Sequence, residues 1–168
     1  MPARALGLNA ASIPASLPFS AETAPKTTAL LTEAAAAHGD GVRAETLLKA
    51  AQHTDPHCLA VYFALYKFYF YRGRLLEAER AALDGLSVAA AQAGFTVDWN
   101  KLHAGSADWT QVAGPARFYL FSLKALAFIR LRRGRTAEAT AILAMLAELD
   151  PGDQMGASVI RSLAAKIR

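Results

Sequence analysis

Three segments of this chain repeat one local pattern, and the repeat restricts the possible folds more than any other feature. In each segment a turn glycine is followed five residues later by an alanine and then by a run typical of a helix. The first two glycines are 34 residues apart. Helix–turn–helix units of this length cannot bury their apolar faces alone, so neighbouring units must stack. The repeat therefore predicts an all-α fold, an α-solenoid of antiparallel helix pairs. The equivalent positions are Gly39, Gly73, Gly134, Ala44, Ala78 and Ala139.

The same spacing, together with Asp-Pro endings at Asp55-Pro56 and Asp150-Pro151, resembles the tetratricopeptide repeat (TPR) family. In the phase of that family, the repeats run over residues 25–58, 59–92 and 120–153. The resemblance implies a superhelix in which the first helix of each pair lines a concave surface.

Three further segments lie outside these repeats. Residues 1–22 are predicted to form a flexible N-terminal tail, and Asn9 and Pro14 interrupt any apolar run that could serve as a signal peptide. Residues 93–119 are an insert between the second and third repeats, and Pro115 within it is predicted to open the next helix. Residues 154–168 are predicted to be a capping helix with an apolar inner face. The stripe expected on that inner face consists of Met155, Val159, Leu163 and Ile167.

Seven aromatic residues fall within residues 61–74, more than one face of a helix can bury. On a helix that turns about 100° per residue, one face of this segment matches the packing positions of the family and is predicted to be core. Tyr66 stands where the family usually has a small residue, and Gly85 is predicted to provide the room. The predicted core residues are Tyr62, Leu65, Tyr66 and Tyr69.

A neighbouring face carries three further rings of this segment together with a lysine, and the third repeat has rings, a lysine and an arginine at the corresponding positions. In a TPR superhelix this face lines the groove that binds peptides, so the resemblance implies that a partner protein binds here as an extended segment or helix. The expected partner-binding residues are Phe63, Lys67, Phe70, Tyr71, Phe121, Lys124, Phe128 and Arg132. Trp99 and Trp109 of the insert are possible additional contacts.

Other ways of covering these rings remain open. Exposed together they would form an apolar patch larger than a monomer usually tolerates, so something should cover them. Neighbouring helices or the insert could bury them, a second copy could cover them in a homodimer, or the tail segment "SIPASLPFS" could occupy the groove in cis.

The sequence offers little that resembles a catalytic or cofactor site. His53, Asp55, His57 and Cys58 lie close together in the sequence, but they fall in a predicted turn and no second cluster completes a zinc site. No glycine-rich nucleotide motif is present. Glu79 is predicted to be exposed at the start of a helix. We therefore expect no metal, no cofactor and no enzymatic activity.

The expected function is a cytoplasmic protein-binding module that acts as a scaffold, adaptor or chaperone. Its size and three-repeat plan resemble bacterial type III secretion chaperones. Residues 53–80 are similar to TPR proteins of bacterial nitrogen-fixation gene clusters, which implies an accessory factor in the maturation of a multi-protein enzyme such as nitrogenase. The net charge of +4 permits nucleic-acid binding without requiring it. No membrane partner is expected, because the apolar runs are shorter than the roughly 18–20 residues of a bilayer span.

Overall fold

The computed structural model describes residues 23–167, and the predicted tail, residues 1–22, lies outside the described residues. Two short 3-10 turns, Trp99–Lys101 and Ala104–Ser106, lie in the insert. Within residues 23–167 there is no strand, so the prediction of an all-α class is confirmed. In that same range no helix has both the length and the apolarity needed to cross a bilayer. The helices are α1 (Pro25–Ala36), α2 (Gly41–Thr54), α3 (Leu59–Tyr71), α4 (Leu75–Ala93), α5 (Pro115–Arg132), α6 (Thr136–Leu149) and α7 (Ala157–Lys166).

Local chemistry explains where several of these helices begin and end. Pro25 and Pro115 open α1 and α5, as predicted for Pro115, at a position where the missing N–H would have no intrahelical partner. The Asp40 carboxylate caps α2 by accepting a backbone N–H bond of 3.0 Å from its first turn. Gly73 and Gly134 follow α3 and α5 with φ of 71° and 77°, the left-handed conformation that stops a helix.

The helices pack in chain order, each against the one before and the one after it. In addition, α3 touches α5, and α5 touches α7. The ring centroids of Phe63 and Phe121 lie 5.7 Å apart, and those of Phe70 and Phe128 lie 5.5 Å apart. Both pairs have the same offset in residue number, so α3 and α5 run parallel and in register. Their C-terminal ends consequently lie at the same edge of the molecule.

The predicted core face of α3 is confirmed, since Tyr62, Leu65, Tyr66 and Tyr69 are all buried. The predicted role of Gly85 in making room for Tyr66 is wrong. A Cβ at Gly85 would lie 2.9 Å from the Cβ of Tyr62 and 3.2 Å from the ring of Phe118, so Gly85 admits those two residues. The hydroxyl of Tyr66 lies 3.5 Å from the Oγ of Ser122 on α5. The small residue beside the Tyr66 hydroxyl is therefore Ser122 of α5.

The prediction that Glu79 is exposed is also wrong. Only 4% of Glu79 is exposed, and its carboxylate accepts hydrogen bonds from Arg130 at 3.0 Å and Arg135 at 2.9 Å and from Arg133. Residues two apart on a helix point to different sides, so Glu79 faces the end of α5 while the nearby Glu77 pairs with Arg74 of its own turn. The Glu79 carboxylate thereby joins α4 to the turn between α5 and α6.

The predicted inner stripe of α7 is wrong except for Met155. Val159, Leu163 and Ile167 are exposed by 52%, 36% and 52%. The helix begins only at Ala157, after Gly156 in the left-handed conformation, so Met155 is not in helical register with the other three. The face that α7 buries is instead formed by Ala157, Ile160 and Ala164.

The insert between α4 and α5 packs against α5. The Trp109 indole is buried beside Phe95 and Tyr119, and its N–H donates to the carbonyl of His103 at 3.1 Å. The Tyr119 hydroxyl donates to the carbonyl of Val97 at 2.7 Å. These bonds satisfy the polar tips of two large rings, which allows both to be buried.

Candidate functional site

The residues predicted to bind a partner lie together on α3 and α5. Because these helices are parallel and in register, Phe63 meets Phe121 and Phe70 meets Phe128. Each helix also contributes one lysine, Lys67 on α3 and Lys124 on α5. We call this surface the aromatic–basic face. Its members are Phe63, Lys67, Phe70, Tyr71, Phe121, Lys124, Phe128 and Arg132.

Most of this face is buried, which departs from the prediction of an open groove. Tyr71 and Phe121 are half-buried, and Arg132 is exposed. The ring pairs Phe63–Phe121 and Phe70–Phe128 lie between α3 and α5 and contribute to this burial. Whether the face binds a partner stays a prediction. The buried members are Phe63, Lys67, Phe70, Lys124 and Phe128.

The two lysines of the face are held among rings. The Lys67 Nζ lies 5.8 Å from the centre of the Phe63 ring, and the Lys124 Nζ lies 5.0 Å from that of Phe121. Lys124 also donates to the carbonyl of Met155 at 2.6 Å, which ties α5 to the segment before α7. Burial lowers the pKa of both lysines. Neither is therefore placed as a solvent-exposed cation.

Guanidinium groups lie over rings at the ends of both helices. Arg132 lies 5.9 Å from the centre of the Phe70 ring at the end of α5, and Arg72 lies 4.2 Å from that of Phe68 at the end of α3. Arg72 also donates to the carbonyl of His38 at 2.6 Å. The sequence reasoning missed Arg72. An available signal was its spacing, because a cation four residues after an aromatic residue on a helix lies over the ring.

A cleft of about 440 Å³ adjoins Arg72, between the α1–α2 turn and the last turn of α3. Val42 on its wall is 80% exposed. Two carboxylates also line the cleft: Asp40, which caps α2, and Glu45, which is paired with Arg74 at 2.6 Å. The arrangement combines apolar surface with the Arg72 guanidinium, which has no carboxylate within ion-pair distance among residues 23–167.

The two tryptophans predicted as possible partner contacts are engaged within the chain. Trp109 is buried against α5, as described above. Trp99 is half-buried, and the Arg130 guanidinium lies 5.4 Å from the centre of its ring. The described contacts of the insert are with α5 and α6, so its rings do not lie on the aromatic–basic face.

The His-Cys segment shows no convergence of ligands. Cys58 is buried, with its Sγ 3.9 Å from the Thr23 hydroxyl, while His53 and His57 are exposed. In the part of the chain from 23 to 167, no group of three or more histidine, cysteine, aspartate or glutamate side chains is placed to hold a metal ion.

Comparison with known proteins finds a relative that is similar over most of the chain. It is 30% identical over 151 residues to an uncharacterized 19.8 kDa protein in the nifW 5' region of Azotobacter chroococcum mcd 1. The matched segment covers 89% of this chain and 81% of that protein. No family model and no solved structure matches the chain.

Proposed function

We propose that this chain is a non-enzymatic protein-interaction module. It belongs to the same family as the Azotobacter chroococcum protein of the nifW 5' region. It acts as a scaffold, adaptor or chaperone and holds a segment or helix of another protein. The observation that carries the proposal is the parallel, in-register packing of α3 and α5, which brings equivalent rings onto one face.

We propose further that the helices form a TPR-like α-solenoid. Packing in chain order, with contacts between alternate helices α3, α5 and α7, supports such an arrangement. In a stack of this kind the first helices of successive pairs share one surface, and that surface is where repeat proteins commonly bind their partners.

The binding surface we propose is the part of the aromatic–basic face that is not fully buried. It comprises the half-buried Tyr71 and Phe121 and the exposed Arg132. Aromatic and arginine side chains dominate the binding energy of many protein interfaces. The buried rings beneath them would hold these side chains in a fixed position.

A capture experiment tests the proposal. Tagged full-length protein is purified from its native host as wild type and as the variant Tyr71→Glu/Arg132→Glu. These positions are chosen because Phe70 and Phe128 are only 8% and 1% exposed, so acidic residues there would unfold the protein. We expect one partner protein with the wild type and its loss from the variant, with folding of the variant verified by circular dichroism.

The variant Leu76→Glu/Arg80→Glu is the matched control. It makes the same kind of change at exposed positions four residues apart on α4. Partner recovery should be unchanged in this control. If the control loses the partner while the face variant keeps it, the second helices form the binding surface and the proposed site is wrong.

A second candidate function is an accessory role in the maturation of nitrogenase. The observation that favours it is the name of the relative, which places that protein in the nifW 5' region. We expect deletion of the gene to slow growth of the host on N₂ as the nitrogen source, and to leave growth on ammonium unchanged. Equal growth of mutant and parent on N₂ would argue against this role.

A further inference from the structure

We propose that Arg72 and Arg132, here called the end arginines, recognise carboxylates of an acidic partner segment that also carries apolar side chains. The inference rests on the proposed protein-binding function and names the chemical class of the partner. Arg132 belongs to the aromatic–basic face, where it lies over Phe70, and Arg72 lies over Phe68 at the cleft beside α2.

Four arginines of the described chain lie over aromatic rings. Arg74 lies over Tyr69 and Arg130 lies over Trp99, and each forms ion pairs with two glutamates. Arg72 and Arg132 lie over rings in the same way. Within residues 23–167 neither has a carboxylate within ion-pair distance, and both are exposed. The fold therefore neutralises two of these guanidinium groups and leaves the other two available.

The end arginines also lie at one edge of the molecule. Arg72 is the residue that follows α3, and Arg132 is the last residue of α5. Because α3 and α5 are parallel and in register, their C-terminal ends lie side by side. Phe68 and Phe70, the rings beneath the two arginines, point to different sides of α3, so a partner segment must pass over the helix ends to meet both guanidinium groups.

The aromatic backing favours carboxylate recognition. A guanidinium that lies on a ring is held in place at a low entropic cost, and its planar donors match a carboxylate in a bidentate arrangement. The Arg72 side chain is further positioned by the carbonyl of His38 and by Gly41, where a Cβ would lie 3.1 Å from the Arg72 Nε. The two carboxylates in the cleft do not meet this need, because Asp40 caps α2 and Glu45 is bound to Arg74 and Tyr69.

Apolar surface beside the end arginines defines the rest of the partner. Val42 on the cleft wall is 80% exposed, and Phe68, which also lines the cleft, is half-buried. An acidic segment with interspersed leucine or phenylalanine would bury these surfaces as it pairs its carboxylates. A uniformly acidic segment would leave them uncovered.

The test uses the full-length chain and random peptides displayed on phage. We expect the peptides selected on wild type to be enriched in Asp and Glu beside apolar residues. For the tightest synthetic peptide, Arg72→Gln and Arg132→Gln should each weaken binding by about tenfold, as expected for the loss of one charge-assisted pair. The double variant should weaken it by roughly a hundredfold, because the two sites are separate.

Arg80→Gln is the control, since Arg80 is exposed on α4 and forms no ion pair in the described chain. It should change the affinity by less than about twofold. Equal weakening by Arg80→Gln would reduce the effect to net charge and overturn the proposal. So would the selection of no peptides, or of peptides without acidic enrichment. Arg72→Gln also removes the hydrogen bond to the His38 carbonyl, so it could weaken binding by loosening the α1–α2 turn. Arg132→Gln does not remove that bond and therefore tests carboxylate recognition separately.

Failure of this inference can be distinguished from failure of the proposed function. Capture of a host protein that survives in the Arg72→Gln/Arg132→Gln variant would support protein binding and exclude recognition by the end arginines. Selection of acidic peptides without any captured host protein would support the recognition chemistry and count against the proposed role in the native host.

Discussion

The carboxylate of Glu79 is buried where the N-terminal part of α4 meets the turn between α5 and α6, and three arginines converge on it. We expect Glu79→Gln to lower the free energy of unfolding by about 3 kcal/mol, because removing the acid leaves three guanidinium groups without their shared partner. This figure is at the low end for a buried ion pair, since Arg133 and Arg135 reach solvent. Urea denaturation at pH 7 measures the difference. Glu77→Gln, on the same turn but paired only with Arg74, should have little effect.

The same carboxylate predicts a pH dependence. Burial alone would raise the pKa of Glu79, but hydrogen bonds and charges from Arg130 and Arg133 outweigh it and lower the pKa. A carboxyl with a lower pKa in the folded state stabilises the fold above its unfolded pKa, about 4.3, and the contribution is lost as pH falls through the folded value. Between roughly pH 5 and pH 3 the wild type should therefore lose stability more steeply than Glu79→Gln. Parallel pH profiles of the two proteins would contradict this.

Gly85 gives a prediction of opposite sign to the usual rule for glycine in a helix. Replacing a mid-helix glycine by alanine normally stabilises by about 0.5–1 kcal/mol. At Gly85 the new Cβ would lie 2.9 Å from Tyr62, so we expect Gly85→Ala to destabilise by about 1–3 kcal/mol. Thermal denaturation checks the sign. Gly39→Ala is the control, because nothing lies within 4 Å of a Cβ at Gly39.

The burial of several charged side chains could not be predicted from the sequence. Glu77 and Glu79 look alike in the sequence, as acids at the start of one helix. Only the approach of the α5–α6 turn makes Glu79 a buried hub. Lys67 and Lys124 likewise resemble groove cations in the sequence, but both are buried, and the ammonium of Lys124 donates to the carbonyl of Met155.

Among the helices, α7 could be predicted from the sequence as a helix, but the face that it buries could not. The apolar spacing predicted a helix near residues 154–168, and α7 spans Ala157–Lys166. Its buried face was not predictable from that spacing, because two apolar stripes coexist on the helix. Contact with α5 and α6 decides between them, and the stripe with Ile160 is the one that packs.

The orientation of α7 can be tested with two substitutions. Ile160 is fully buried, so Ile160→Ala should cost about 2–5 kcal/mol of unfolding free energy. Leu163 is 36% exposed, so Leu163→Ser should change it by no more than about 0.5 kcal/mol. Urea denaturation of both variants provides the comparison. A larger loss for Leu163→Ser than for Ile160→Ala would restore the stripe predicted from the sequence.

At the scale of the whole molecule, packing in chain order predicts uneven stability. The central helices α3, α4 and α5 contact neighbours on two sides, whereas α1 has its main contacts with α2 and buries only Thr27, Leu31 and Ala34. In stacked helical arrays stability is a sum over neighbouring units, so the ends open first. Native-state hydrogen exchange should give lower opening free energies for amides of α1 than for those of α5. Equal protection of both helices would indicate a single cooperative unit.

The all-α class and the core face of α3 can be predicted from the sequence alone. The start of α5 at Pro115 can be predicted in the same way. These features follow from local rules: the apolar period of a helix, the fixed φ of proline and the conformational freedom of glycine. Which of the remaining surfaces are buried depends on the tertiary structure. Each case requires contact with another helix or turn: α3 with α5 for the ring pairs, the α5–α6 turn for Glu79, and α5 and α6 for α7. A surface is buried only when a second surface covers it. A sequence pattern describes only one surface of each pair.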